Sequence, residues 1–287
     1  NSKTYTGTIT VQGDGTSNAN NKETLTFKNI NFDITEAKYA ITSVKGTYVR
    51  NITVENCTFK GENSYGIRVR NGYNYTLKNV TVDGFYSFFN ATESLGGLTV
   101  ENVTVTNTGS AFNFKYGTGI ASLKNVNVDV TGNGIWFVNR NASTITLENC
   151  SIKAETPVAI EEAVTNTNSF VFNGTNNFSA TNANGNWLTI EDDSTQNATF
   201  KVVANDTALD FTKTSGLIAY AKNTERSFAY NNNLTNMVNE TVTDDVVTLL
   251  ADVTMDTKTF ATQNDGYAVL FNVGGKAVTF DLNGKKV

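Results

Sequence analysis

The sequence contains no histidine, a single proline, two cysteines and no apolar run long enough to span a bilayer, and each shortage removes a class of explanation. Without histidine the commonest general base is gone, and with it the Ser-His-Asp and Cys-His arrangements and every His-containing metal site. Two cysteines cannot build a four-thiolate zinc cage. A spanning helix needs about 20 mostly apolar residues, so no membrane insertion is expected within this segment. An excess of positive charge is missing too. The 22 Lys+Arg stand against 27 Asp+Glu, a formal charge of -5, which provides no broad attraction to phosphate backbones, and nucleic acid is not an expected partner. The P-loop and dinucleotide fingerprints are absent from the sequence. The chain opens on Asn1 without a charged-then-apolar leader, so an export signal or wall anchor is expected outside it, with an extracellular or cell-surface location.

What is present is a β-rich composition. Hydrophobic residues make up 39% of the chain, enough for a sizeable core. With 22 Gly and roughly forty Asn, turns come from Asn and Gly rather than Pro, among abundant Thr, Val, Ile and Phe.

One motif recurs six times: LTFKNINF from Leu25, ITVENCTF from Ile52, YTLKNVTV from Tyr75, LTVENVTV from Leu98, ASLKNVNV from Ala121 and ITLENCSI from Ile145. Its asparagines, Asn29, Asn56, Asn79, Asn102, Asn125 and Asn149, are separated by 27, 23, 23, 23 and 24 residues, a solenoid period. Within each copy the alternation of apolar residues changes phase at the Asn: Leu25 and Phe27 share one parity, Ile30 and Phe32 the other. A strand has period two, so both halves face inward only if the backbone bends between them. Asn tolerates the left-handed conformation of such a bend, and its amide can bond its copy in the next coil. The expectation is an asparagine ladder.

A third strand also aligns, at Ile41–Ser43, Ile67–Val69, Phe89–Ala91, Phe112–Phe114, Ile135–Phe137, Val158–Ile160 and Leu188–Ile190. Three strands per coil predict an all-β, right-handed parallel β-helix with coils of about 23 residues. Cys57 and Cys150 share one motif position four coils apart. At about 4.8 Å per coil they stand roughly 19 Å from each other, beyond disulfide reach, and both are read as buried thiols.

The motif decays after FVFNGTNNF (Phe170 to Phe178), where the Asn corner is replaced. The expected organisation is a β-helix over 1–222, a cap or linker with a short helix over 223–240, and further β coils over 241–287. The last part contains VVTLLADVTMD and AVTFDLNGKKV, read as the start of a second solenoid or the edge of a terminal coil.

The N-[VIC]-[TN]-[VF] corners and the Gly-Ile strands at Gly66 and Gly134 resemble the pectin-lyase-like superfamily of right-handed β-helices. They most resemble the Asn- and Thr-rich adhesin-like surface proteins of bacteria and archaea. The resemblance covers about residues 20 to 220 and is specific for fold only. That fold serves polysaccharide lyases, glycoside hydrolases, phage tailspikes and adhesins, so it does not choose an activity. The resemblance implies, for a pectate lyase, an Arg base beside calcium held by acidic residues. For a polygalacturonase it implies several Asp with a His and an R-I-K segment, and this sequence lacks both the His and the segment.

The repeat places outward residues in columns. The first reads Thr42, Arg68, Asn90, Asn113, Trp136, Ala159, Thr189; the second reads Val44, Arg70, Thr92, Lys115, Val138, Glu161, Glu191. Arg68 and Arg70 are therefore expected beside Thr42, Val44, Asn90 and Thr92, without the acidic neighbours of a calcium cage. Glu161 and Glu191 are expected one coil apart, close to the carboxyl spacing of about 5 to 5.5 Å in a retaining glycosidase. These four residues are the catalytic candidates. Asp192-Asp193 and Asp244-Asp245 lack the spacing of a calcium loop and are read as solvated turns. No metal site and no cofactor is expected, calcium being the one ion left open.

Arg68, Asn90, Asn113 and Trp136 make the candidate ligand-binding face, offering hydrogen-bonding groups and a flat ring at coil spacing. Gly66, Ala111 and Gly134 are expected to let a ligand approach, and Tyr65, Tyr73, Phe85, Tyr86, Phe88, Tyr116 and Trp187 to line a groove. The reading is a non-enzymatic extracellular module of a microbial surface protein. It would be a stalk or an adhesive segment whose partner is a polysaccharide or a host surface glycoprotein. The alternatives are a lyase or glycoside hydrolase of the same fold, and a trimeric fibre like a tailspike.

Overall fold

The computed structural model describes residues 3–13, 24–36, 38–45, 51–115, 118–138, 144–161, 167–191, 199–205, 208–232, 234–254, 261–262, 268–269 and 273–287. Its main body is a parallel β-solenoid of about seven turns with coils of about 24 residues. Three sheets run along it. The first stacks the residues before each motif Asn, pairing Leu25 with Ile52, Ile52 with Tyr75, Tyr75 with Leu98, and so on to Phe170 and Val202. The second stacks those after it, and the third carries the aligned third strands.

All six motif asparagines have positive φ, between 52° and 57°, so the phase change in the sequence is a left-handed residue at each corner. Asn79 Nδ2 donates to Asn56 Oδ1 (2.9 Å), Asn102 to Asn79 and Asn125 to Asn102 (both 3.1 Å). In the next coil the corner passes to Gly174 (φ 64°), and the amide of Thr175 donates to Asn149 Oδ1 at 2.9 Å. A Cβ on Gly174 would lie 2.3 Å from that same oxygen. The loss of the Asn at this copy is thus a substitution by the other residue suited to the conformation.

The residue before each corner alternates in sign along the stack: Lys28, Glu55, Lys78, Glu101, Lys124, Glu148. Lys28 pairs with Glu55 (3.1 Å), Lys78 with Glu101 (3.2 Å) and Lys124 with Glu148 (2.6 Å). These exposed pairs each contribute less than about 1 kcal/mol. A slip by one coil would stack Lys on Lys and Glu on Glu, so the column favours odd offsets and disfavours even ones.

Inside, residues such as Val54, Leu77, Val100, Leu123 and Leu147 superpose with no exposure, each contributing about 1.5–3 kcal/mol by leaving water. Aromatic rings run down the bore, from Phe32 stacked on Phe59 (4.5 Å) through Phe59–Phe88 (5.5 Å) to Phe88–Phe112 (6.1 Å). Towards the far end, Trp187 meets Phe178 at 5.0 Å and Phe211 at 6.4 Å. Cys57 and Cys150 are buried free thiols, donating to the Glu55 and Leu123 carbonyls at 3.3 and 3.4 Å. Burial pushes both pKa values up, that of Cys150 to about 11, so at neutral pH they are protonated and unreactive.

Past the strand Thr199–Asn205 the chain reverses. Arg226–Tyr230 pairs antiparallel with Thr199–Asn205, Ala219–Lys222 pairs antiparallel with Arg226–Tyr230, and Val246–Leu249 extends the sheet on the far side. Thr279–Asp281 then joins Val246–Leu249 in parallel. The short helix expected in this region spans Leu234–Glu240. Its Met237 and Val238 close a small second core with Ala221, Phe228, Tyr230 and Val247, so the strands on both sides of residue 223 share one core.

A polar clasp ties the helix to the last coil. Glu240 pairs with Lys201 and accepts a 2.6 Å hydrogen bond from the Tyr230 hydroxyl. Arg226 Nη2 donates to the Glu240 carbonyl (2.8 Å) and lies 3.3 Å from Asp245. Asp245, expected on a solvated turn, is instead fully buried and accepts from the Val242 amide at 2.8 Å. Its side chain fixes the turn rather than solvating it. Burial acts to raise the Glu240 pKa, but hydrogen bonds from Lys201 and Tyr230 and the charges of Lys201 and Arg226 outweigh it and hold the carboxyl below 4.5. A depressed carboxyl pKa stabilises the fold above the unfolded value and loses that contribution as pH falls through the folded one. Protection of the Leu234–Glu240 amides, measured against their intrinsic exchange rates, is therefore expected to fall as acidification protonates Glu240, with less change at the Asn corners; Glu240→Gln should abolish the difference.

Candidate functional site

The outward column on the third sheet is assembled in the expected order. Register pairs Thr42 with Arg68, Arg68 with Asn90, Asn90 with Asn113, Asn113 with Trp136, Trp136 with Ala159 and Ala159 with Thr189. A parallel ladder superposes equivalent residues one coil apart, about 4.8 Å.

Most of the polar groups in this column are engaged with each other. Arg68 Nε donates to Thr42 Oγ1 (3.1 Å), and its guanidinium carbon lies 4.1 Å from the centre of the Tyr39 ring. Asn113 Nδ2 donates to Asn90 Oδ1 (2.9 Å) and Ser87 Oγ (3.0 Å), and Ser87 Oγ donates to Asn90 Oδ1 (3.1 Å). The Lys115 ammonium lies 5.0 Å from the centre of the Trp136 ring. Two atoms are left over. Asn113 Oδ1 and Trp136 Nε1 are buried without a hydrogen-bond partner, and Asn113 is 8% exposed. Among the described residues only four buried side-chain polar atoms are in that state. Two of the four fall on register neighbours, one an acceptor and one a donor, which concentrates unmet hydrogen-bonding demand here among the described residues.

Next to this column Tyr65 and Tyr86, expected to line a groove, form a stack with Tyr39, which was not expected. Tyr39 and Tyr65 stack at 5.0 Å, Tyr65 and Tyr86 approach at 5.7 Å, and the Tyr86 hydroxyl donates to Asn63 Oδ1 at 2.9 Å. The signal was available in Tyr39-Ala-Ile and Tyr65-Gly-Ile, which place a ring two residues before an inward Ile. Because the rings of Tyr39 and Tyr65 face one another, they offer edges and hydroxyls sideways rather than a flat platform. Tyr86, 54% exposed, ends the stack.

Several expected lining residues lie elsewhere. Phe85, Phe88 and Trp187 are core residues, and Trp187 Nε1 donates to the Asp210 carbonyl at 2.8 Å. A Cβ on Gly66 would meet the Phe88 carbonyl oxygen at 2.5 Å, and one on Gly134 would meet Ile152 at 2.4 Å. Ala111 is fully buried. These small residues serve the packing of coil on coil, not the approach of a ligand. Tyr116 and Asp192-Asp193 lie outside the described residues.

The second column also forms. The amides of Lys115, Val138, Glu161 and Glu191 donate in turn to the carbonyls of Ala91, Phe114, Phe137 and Ile160, which puts Glu161 and Glu191 on successive coils. Arg70, expected without an acidic neighbour, has one: Glu93 Oε1 lies 3.7 Å from Arg70 Nε and 3.8 Å from Lys45 Nζ. The cause is a register shift after Val69, where Asn71 pairs with Ser94 rather than Glu93. Such a bulge inserts a residue and re-aims a side chain. Among the described residues no three His, Cys, Asp or Glu side chains cluster as metal ligands, and no helix is long and apolar enough to cross a membrane.

Comparison with protein-family models, with curated proteins and with solved structures gives no match for this chain.

Proposed function

We propose that this chain is a non-enzymatic, extracellular β-helix module of a microbial surface protein that holds a glycan against its third sheet. The observation that carries the reading is the unpartnered pair Asn113 Oδ1 and Trp136 Nε1. Both atoms are covered, so a ligand reaches them only by displacing what lies over them; a single hydroxyl placed there would accept from the indole N–H while donating to the amide oxygen. An unpartnered buried polar group costs roughly 1–3 kcal/mol, which such a ligand recovers. The Tyr65 and Tyr86 edges and Arg68 extend the polar surface towards neighbouring coils, where further hydroxyls of a polysaccharide or a glycoprotein chain would fall. The corner motifs and the Gly66 and Gly134 strands support a kinship with the adhesin-like members of the pectin-lyase-like solenoids, and with it a cell-surface location.

The test separates the ring from its donor. Trp136→Phe keeps an aromatic ring and removes only the N–H, and is expected to weaken glycan binding about tenfold, near 1.4 kcal/mol, without lowering thermal stability. Binding is read by calorimetry against the best ligands from a broad array of polysaccharides and glycoproteins. Unchanged binding by Trp136→Ala across the array would remove this face from consideration. Release of new reducing or unsaturated ends, abolished by Glu161→Gln or Arg70→Gln, would identify a polysaccharide-active enzyme instead.

A further inference from the structure

The cap sheet carries a second concavity, remote from the third-sheet column. Its volume is about 600 Å³, and Tyr220, Lys222, Thr224, Asp244, Val246 and Thr248 line it. That volume falls within the roughly 300–1,000 Å³ of small-molecule sites. Antiparallel pairing sets Tyr220 opposite Thr248 and Lys222 opposite Val246, which gives a floor of one ring, one aliphatic group and one hydroxyl. The Tyr220 ring is fixed from below by stacking on Phe211 at 5.4 Å.

Both walls are rigid turns. On one side, Asn223 Oδ1 accepts from the amides of Glu225 (2.8 Å) and Arg226 (3.0 Å). On the other, Asp244 has φ 71° and its amide donates to the Ala277 carbonyl at 2.8 Å, while Asp245 beside it is consumed by Arg226 and the Val242 amide. The two walls each present one charge to the concavity, Lys222 from the first and Asp244 from the second, and neither side chain has an ion-pair partner among the described residues. Of the neighbouring charges, Lys201 pairs with Glu240 and Arg226 with Asp245, and Glu225, in the same turn as Asn223, is not among the lining residues. Lys222 and Asp244 thus bring an ammonium and a carboxylate to the same end of the concavity, from which Val246, Tyr220 and Thr248 run away along the two strands.

We propose that this concavity binds a small zwitterion, a molecule that carries both a carboxylate and an ammonium beside an apolar group. The carboxylate meets Lys222, the ammonium meets Asp244, and the apolar group lies along Val246 and Tyr220. Free amino acids and unblocked short peptides both have this chemistry. A neutral sugar has the hydroxyls for Thr224 and Thr248 but gains nothing from the two charges.

The experiment titrates the full chain by calorimetry and NMR with the dipeptide alanyl-phenylalanine, its N-acetylated form, its C-amidated form, free phenylalanine and maltose. The dipeptide or the free amino acid is expected to bind, and which of them binds more tightly identifies the source. Blocking either end should weaken binding at least about tenfold, the scale of one charged hydrogen bond. Lys222→Gln should erase the penalty for amidation, and Asp244→Asn, which keeps a residue tolerant of positive φ, should erase the penalty for acetylation. Unchanged melting temperatures show that both variants fold. The proposal is overturned if neither zwitterion binds, if the blocked forms or maltose bind equally well, or if the variants leave the preference intact. Trp136→Phe should not affect any of these titrations, so this result stands or falls apart from the glycan reading.

Discussion

Asn102→Val is expected to destabilise the solenoid by about 3–4 kcal/mol, far more than a surface substitution normally costs. Asn102 has φ 54°, donates to Asn79 Oδ1 and accepts from Asn125 Nδ2, both at 3.1 Å. A β-branched residue held left-handed costs at least the roughly 1–2 kcal/mol of an ordinary L-residue, and the two lost hydrogen bonds contribute about 1 kcal/mol each. Asn102→Gly separates these contributions. Glycine takes the backbone angle freely, as Gly174 does in the same stack (φ 64°), so only the ladder bonds are lost and the expected cost falls to about 1–2 kcal/mol. Solenoids lose two-state behaviour when a repeat is weakened. The measurement is therefore amide exchange on the coils flanking Asn102, with urea unfolding alongside it. Equal effects of Val and Gly would mean that the left-handed angle carries no energetic demand and that the ladder alone matters.

The corners were legible because one residue type answers two requirements at once, a positive φ and an amide that bonds its own copy. The other corner was not, because its positive-φ positions are shared among Glu36, Asn63, Gly84 and Asn107 and no one residue type holds them all. The third-sheet column was legible because strand period and coil spacing together fix which residues superpose. What those residues do to one another was not: Asn90 and Asn113 satisfy each other, while Asn113 Oδ1 and Trp136 Nε1 remain unpaired. Neither outcome is encoded in residue type. Phe88 and Phe89 are adjacent yet both fully buried, which breaks the period-two rule that had placed Phe88 outside. At a bend, consecutive side chains can both turn inward. Glu93 reached Arg70 through a one-residue register shift that spacing arithmetic cannot anticipate. The reversal after residue 205 was hidden for a different reason: alternation marks a strand but not its direction.

That reversal leads to the other large effect. Ala229→Pro is expected to open the cap and to make the chain associate more strongly than the parent as its concentration rises. Ala229 has no exposure and sits in the middle of Arg226–Tyr230, opposite Val202 of the last coil on one side and Tyr220 on the other. Its N–H belongs to a strand paired on both edges, so proline removes a ladder bond and forces the ring against a neighbouring strand, at a cost of about 3 kcal/mol or more. Without Arg226–Tyr230, the strand Thr199–Asn205 becomes a bare edge with a row of unpaired donors and acceptors, the template on which β-proteins aggregate. Ala229→Gly retains the N–H and should match the parent in light scattering. Amide exchange should show the loss confined to residues 199–249, since each coil contacts only its neighbours. Ala159 and Thr189 separate Trp136 from that edge in the register, so glycan binding should persist in the dilute variant. If Ala229→Pro associated no more than the parent, with its cap amides protected, the antiparallel strand would not be what keeps the solenoid end from pairing. The charged residues around it, Lys201, Arg226 and Glu240, would then have to do so by themselves.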